Sequence, residues 1–149
     1  MPFRRRFKCE LYTPSDQVAS CEALSVTFPA TDGQVGVLGG RAPMVAMLGV
    51  GQINIAQSKG KALEFFVSRG FAQMSQNVLT FLAEECLPVA QINAEQAWEE
   101  LQTAMKLPAS TDSEIAIRED LVTTARGKFD IAQKRRRQLG LAGGSLIEE

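Results

Sequence analysis

The feature that most constrains the fold of this chain is a change of hydrophobic period near residue 88. Upstream, Phe7, Cys9 and Leu11 alternate with Lys8, Glu10 and Tyr12, and Leu24, Val26 and Phe28 alternate with Ser25 and Thr27, the period of half-buried strands. Turn chemistry recurs between such runs, at residues 13–16, at Pro29, at residues 58–61 and at residues 75–77. Downstream of Asn93, a good N-cap, the apolar positions Ala94, Ala97, Trp98, Leu101, Ala104 and Met105 recur at helical spacing. One period cannot serve the other element, so the pattern predicts an α+β chain. An N-terminal antiparallel β-sandwich, a flattened barrel, occupies residues 1–88; an antiparallel two-helix hairpin occupies 89–140; residues 141–149 form a flexible tail.

Within the first part, strands are expected at 7–12, 24–28, 52–57 and 62–68, the last two as a hairpin, with a bulge or corner at Arg69-Gly70 and a second hairpin from 71–74 and 78–83. In the second part, Asp112 or Ser113 starts a helix with inner face Ile115, Val122, Ala125, Phe129 and Ala132 and with Gly140 as its stop. Residues 107–111 connect the helices. A hairpin of this size buries too little to be secure alone and must pack on something.

Several function classes are excluded by what the chain lacks. Among 149 residues there is no histidine, which removes Ser-His and Cys-His pairs, histidine bases and histidine-bearing zinc sites. No cluster of acids has metal-ligand spacing, so neither a metal nor a catalytic residue is expected. Cys9, Cys21 and Cys86 are odd in number and lack C-x-x-C spacing, and read as small, reduced, mostly buried hydrophobes in a reducing compartment. The basic start is followed by no apolar run, so a chain neither secreted nor membrane-spanning is expected. A net charge of −1 selects no partner.

Residues 32–51 are glycine-studded, with Gly33, Gly36, Gly39 and Gly40 beside Pro43 and the apolar Val35, Val37, Met44 and Leu48, and read as a rigid surface loop. The spacing matches neither G-x-x-x-x-G-K-[ST] nor G-x-G-x-x-G and no helical period follows, which excludes a phosphate cradle. The order Asp-Gly-x-x-Gly-x-Leu-x-Gly-x-Ala-Pro-Met, then Gly49-Val50-Gly51-Gln52-Ile53-Asn54-Ile55, then Phe66-Val67-Ser68-Arg69-Gly70-Phe71-Ala72 resembles the epsilon subunit of the rotary F-type ATP synthase.

That resemblance implies a non-catalytic central-stalk subunit without cofactors. It would link the gamma shaft to the c-ring for proton-coupled ATP synthesis and inhibit ATP hydrolysis when its helices enter the alpha/beta catalytic hexamer and meet the beta subunits. It implies membrane association only through the complex, on the cytoplasmic face of the inner membrane or its organellar equivalent, and no nucleic acid. Residues 32–51 would rest on the c-ring through Asp32, Gln34, Arg41 and Met44, although Gln34, Gly39 and Arg41 stand where many members have Glu, Pro and His. The family's ATP-binding [IL]-D-x-x-R-A motif is degenerate here, with Asn93 for the acid and Gln96 for the arginine, which removes a carboxylate and a guanidinium.

Charge along the expected hairpin is lopsided. Residues 93–125 carry seven acids against two bases, a net −5; residues 126–137 carry six bases, among them Arg126, Lys134, Arg135, Arg136 and Arg137, against one acid, a net +5. Complementation of the helix macrodipole explains part of this. Four consecutive bases cover every side of a turn and exceed what capping needs, which under the resemblance makes them an inhibitory tip. The alternative is a soluble adaptor whose basic helix binds nucleic acid or an anionic membrane surface.

Overall fold

The computed structural model describes residues 5–143, with side chains described through Gly140. It contains two compact units, Met1–Pro88 and Val89–Glu149. The first holds six strands, β1 (Phe7–Tyr12), β2 (Gln17–Ala30), β3 (Gly33–Leu38), β4 (Met44–Gln57), β5 (Leu63–Ser75) and β6 (Val78–Pro88). Their order is β1-β6-β5-β4-β2-β3, and a further β1–β2 pairing closes the first five into a flattened barrel with β3 on its edge. The long β2 makes closure possible. Its first half pairs with β1 and its second half with β3 and β4, with register irregularities between Ala23 and Ser25 and between Thr27 and Ala30. The pairing between β1 and β6 is parallel, set beside otherwise antiparallel neighbours.

Alternation sends one face of each strand inward. Met44, Met74 and Leu79 are cross-strand neighbours on β4, β5 and β6, as are Ala46, Ala72 and Phe81. Phe28 from β2 meets Phe81 edge-on, centroids 5.1 Å apart at 80°, a favoured aromatic geometry. The buried core of this unit lies between Phe7 and Ala83, with Cys86 packed against it.

Three strand expectations change. β2 begins at Gln17, because pairing with β1 recruits residues whose own pattern is weak, and it runs through Pro29, which sits opposite Gln34. The stretch 32–51 is a loop only at residues 39–43; β3 and the first half of β4 take the rest, their alternation hidden by glycines. At Arg69-Gly70 the register continues unbroken on both sides, so there is no bulge; the two residues instead adopt φ of 49° and 139°. The two-residue turn Gln76-Asn77, with φ of 52° and 64°, joins β5 to β6 and suits the twist of a tight hairpin.

The second unit holds a 3-10 turn, Val89–Gln91, followed by α1 (Ala94–Met105) and α2 (Asp112–Gly143). Asn93 caps α1, its side chain accepting from the Gln96 backbone N–H at 2.9 Å. Thr111 and Glu114 form a capping box for α2. Thr111 Oγ1 accepts from Glu114 N–H at 3.1 Å, while Glu114 Oε1 accepts from Thr111 N–H at 3.2 Å. At the turn Arg118 donates to the Met105 carbonyl at 3.1 Å, satisfying an end of α1.

Gly140 does not stop α2, which continues to Gly143; Leu141 and Ala142 are good helix formers and no proline follows. Of the expected tail, 144–149 lies outside the described residues. On the inner faces Ala97, Leu101, Ala104, Ala125 and Ala132 are buried as expected, but Ile115 is exposed because it lies in the first turn of α2, beside the connecting segment and beyond the end of α1. Trp98 and Met105 are also partly exposed, Trp98 while packed on Phe129 with centroids 5.2 Å apart.

Candidate interaction surfaces

The β3–β4 connection is tied to the neighbouring strands by Asn77. Asn77 Oδ1 accepts from Gly40 N–H at 3.0 Å, and its Nδ2 donates to the Arg6 carbonyl at 2.7 Å. The Asn77 carbonyl accepts from Lys8 N–H at 3.2 Å. This turn residue, at a positive φ that Asn tolerates, therefore ties the start of β1 and the β3–β4 loop to the β5–β6 turn. Arg41 adds a second tie, donating to the Gly36 carbonyl at 2.9 Å.

The four residues expected to rest on the c-ring fall at two ends of β3. Asp32 lies in the β2–β3 turn and Gln34 at the start of β3; Arg41 follows its end, and Met44 opens β4. Asp32, Gln34 and Arg41 are exposed and Met44 is half-buried. Four residues of strand, 35–38, lie between Gln34 and the end of β3, about 13 Å at the usual rise. They do not form one cluster.

The outer face of the same sheet carries an apolar row that sequence reasoning missed. Met47, Phe71 and Leu82 are direct cross-strand partners on β4, β5 and β6, and are 58%, 52% and 48% exposed. Val45, two residues from Met47 and on the same face, is 70% exposed. Polar groups flank the row on β5 and β6, with Gln73 and Thr80 on one side and the Arg69–Glu84 ion pair, 3.1 Å, on the other. The alternating pattern predicts outward positions here, and their apolar character was the available signal.

On the hairpin, Lys128 is not part of a free cationic tip. Its Nζ lies 3.0 Å from Glu100 Oε1, and the lysine side chain is largely buried. Glu100 opposite Lys128 and Trp98 against Phe129 set the register of the pair. The 12 residues of α1 and 32 of α2 span roughly 18 and 48 Å, so in this register α1 starts opposite about Lys134 and α2 continues past it. Lys134, Arg136 and Arg137 are exposed and Arg135 is half-buried; among the described residues none of the four has an ion-pair partner. Arg126 lies about two turns earlier, also exposed. Asn93 serves as the N-cap with its side-chain oxygen engaged by Gln96 N–H.

A closed five-strand barrel with an added edge strand, followed by two helices, is the architecture of a delta/epsilon-type chain. The family model described as "ATP synthase, Delta/Epsilon chain, beta-sandwich domain" matches residues 6–89. The chain is 34% identical to the ATP synthase epsilon chain of Rhodopirellula baltica, over 82% of this chain and 94% of the relative. It is 32% identical to the sodium-ion-specific ATP synthase epsilon chain of Propionigenium modestum, over 86% and 94%. The chain belongs to the ATP synthase epsilon chain family. The fold also matches a chain in the cryo-EM structure of the Euglena gracilis mitochondrial ATP synthase OSCP/F1/c-ring (TM-score 0.71, 18% identity, 85% of this chain and 86% of that one). A further match is a chain of the Tetrahymena thermophila central stalk and c-ring structure (TM-score 0.69, 13% identity, 87% and 98%).

Proposed function

We propose that this chain is a non-catalytic rotor subunit of an F-type ATP synthase, joining the gamma shaft to the c-ring during proton-coupled ATP synthesis and restraining ATP hydrolysis through its C-terminal helices. The observation that carries the coupling role is the apolar row Met47, Phe71 and Leu82 with its flanking polar groups. A contiguous apolar patch rimmed by polar groups is the usual form of a protein-binding surface. Gamma is the proposed occupant, because it is the large stalk partner that the family relationship supplies. Asp32, Gln34, Arg41 and Met44 then face the c-ring. Lys134, Arg135, Arg136 and Arg137 face acidic segments of the beta subunits in the inhibited state.

Among the described residues no helix is long and apolar enough to cross a membrane, and in this reading the chain meets the membrane only through the complex, on its cytoplasmic face. Nucleic acid has no part in it. The test is Phe71→Glu in the full chain. The side chain is half-exposed, so the variant should fold with an unchanged melting temperature, while a charge at the centre of the row should weaken gamma binding by about 30-fold or more. Unchanged gamma affinity in the folded variant would remove the row from the contact.

A further inference from the structure

Cys9 on β1 and Cys21 on β2 are direct partners in the antiparallel register. Opposed residues send their side chains to the same face with Cβ atoms about 4.5–5.5 Å apart. Both Cα separations found in antiparallel pairs, about 4.5 and 5.5 Å, lie within the span of a disulfide. The two thiols are free.

Their surroundings are unequal. Cys9 is fully buried in the barrel core. Cys21 is half-buried and lines an open surface pocket of about 330 Å³ with Arg6, Phe7, Lys8, Glu22 and Asn77. A hydrogen bond from Cys9 brings the Cys21 thiol down to about 7, against the opposing effect of burial. The same hydrogen bond, and then burial, push Cys9 far above its usual range. Cys86 is half-buried, and burial pushes its thiol up to about 12. One sulfur is therefore reachable and nucleophilic, its neighbour is protonated and within bonding reach, and the third cysteine is a bystander.

We propose that Cys9 and Cys21 are a dithiol–disulfide couple at the seam that closes the barrel, with Cys21 as the attacking thiol, Cys9 as the resolving thiol and low-molecular-weight disulfides as the oxidant. The Cys21 thiolate attacks one sulfur of the small disulfide RSSR, forming Cys21–S–S–R and releasing RS⁻. Cys9 loses its proton and attacks Cys21 Sγ, forming the Cys9–Cys21 bond and releasing a second RS⁻. The two protons lost by the cysteines end on the two leaving thiolates, so two cysteine thiols are oxidised as RSSR is reduced to two RSH. The pocket beside Cys21 admits the small disulfide, and the buried position of Cys9 restricts resolution to an intramolecular step. None of this depends on the rotor reading.

The experiment uses the reduced full-length chain with oxidised glutathione as probe, followed by acid quench, alkylation and peptide mapping. The expected product is a monomer with a Cys9–Cys21 disulfide and an alkylated Cys86. Reaction at Cys21 should be at least about tenfold faster than at Cys86. In Cys9→Ala, reaction should stop at the glutathione adduct on Cys21. Three alkylated cysteines, a persistent glutathione adduct on Cys21 in the unsubstituted chain, or a disulfide between two chains would each overturn the proposal. The mapping of the unsubstituted chain decides the matter even if Cys9→Ala does not fold.

Discussion

At Gly70 the backbone of β5 adopts φ of 139°, and a Cβ there would overlap the Leu82 carbonyl of β6. Both effects are intrinsic to any L-residue larger than glycine, so Gly70→Ala has no easy relaxation: it must strain the backbone and spread the β5–β6 ladder. The expected cost is at least about 2 kcal/mol, which for a unit of this size lowers the melting temperature by on the order of 10 °C. Gly36→Ala is the matched control, because its Cβ would meet only Thr27 Cγ2 at 3.9 Å; thermal unfolding should leave it near the parent chain. Equal losses in the two variants would contradict this account of Gly70. At this scale the sequence was legible where a residue acts locally. Asn93 as a cap could be read from the residues that follow it, whereas Asn77 could not be read as a clamp, because its side-chain partners Gly40 and Arg6 are 37 and 71 residues away. The pairing of Cys9 with Cys21 was hidden for the same reason, since it exists only once β1 and β2 are in register.

The hairpin is defined by unequal lengths. α1 covers the middle of α2, held by Glu100–Lys128 and Trp98–Phe129, and the four consecutive bases begin opposite the start of α1. Like charges so crowded repel one another, and exposed on a helix they gain little from the macrodipole, which falls off within a turn. Replacing Lys134, Arg135, Arg136 and Arg137 together with Ala keeps helix propensity and removes that charge. If the bases hold the hairpin on acidic beta segments, a tenfold shift of a balanced equilibrium, about 1.4 kcal/mol, takes the inhibited fraction from about one half to about one tenth. Steady-state ATP hydrolysis by complexes with equal epsilon content should then nearly double, and raising salt should bring the parent complex toward the mutant. Identical rates at low and moderate salt would show that the four bases are only a solvated helix end. At the scale of elements, periodicity placed both helices and the hairpins, and it failed where glycine interrupts alternation, so that β3 and the start of β4 read as loop. It also failed at Gly140, where a residue that often follows a helix lies inside one.

For the whole molecule the controlling fact is that the barrel closes before the helices begin. The β1–β2 pairing completes the ring, the core lies within residues 7–86, and the last rung of the β5–β6 ladder pairs Phe65 with Pro88. A chain ending at Pro88 therefore keeps every rung and the whole core of this unit, and it should unfold cooperatively in denaturant and still bind gamma; a molten or insoluble product under conditions where the full chain folds would contradict that boundary. The two-part architecture was legible because the change of period is a whole-chain property, while the parallel β1–β6 pair was not, since no local pattern encodes which distant strand completes a barrel. The rotor assignment itself is tested most directly by affinity purification of the tagged full chain from detergent-solubilised native membranes, with quantitative mass spectrometry of what accompanies it. Gamma, the c-ring subunit and the alpha and beta subunits should be recovered in the fixed ratios of one complex, and recovery should persist at moderate salt. Recovery of the chain without gamma and the c-ring subunit, or with salt-labile nucleic acid or lipid in their place, would contradict the account.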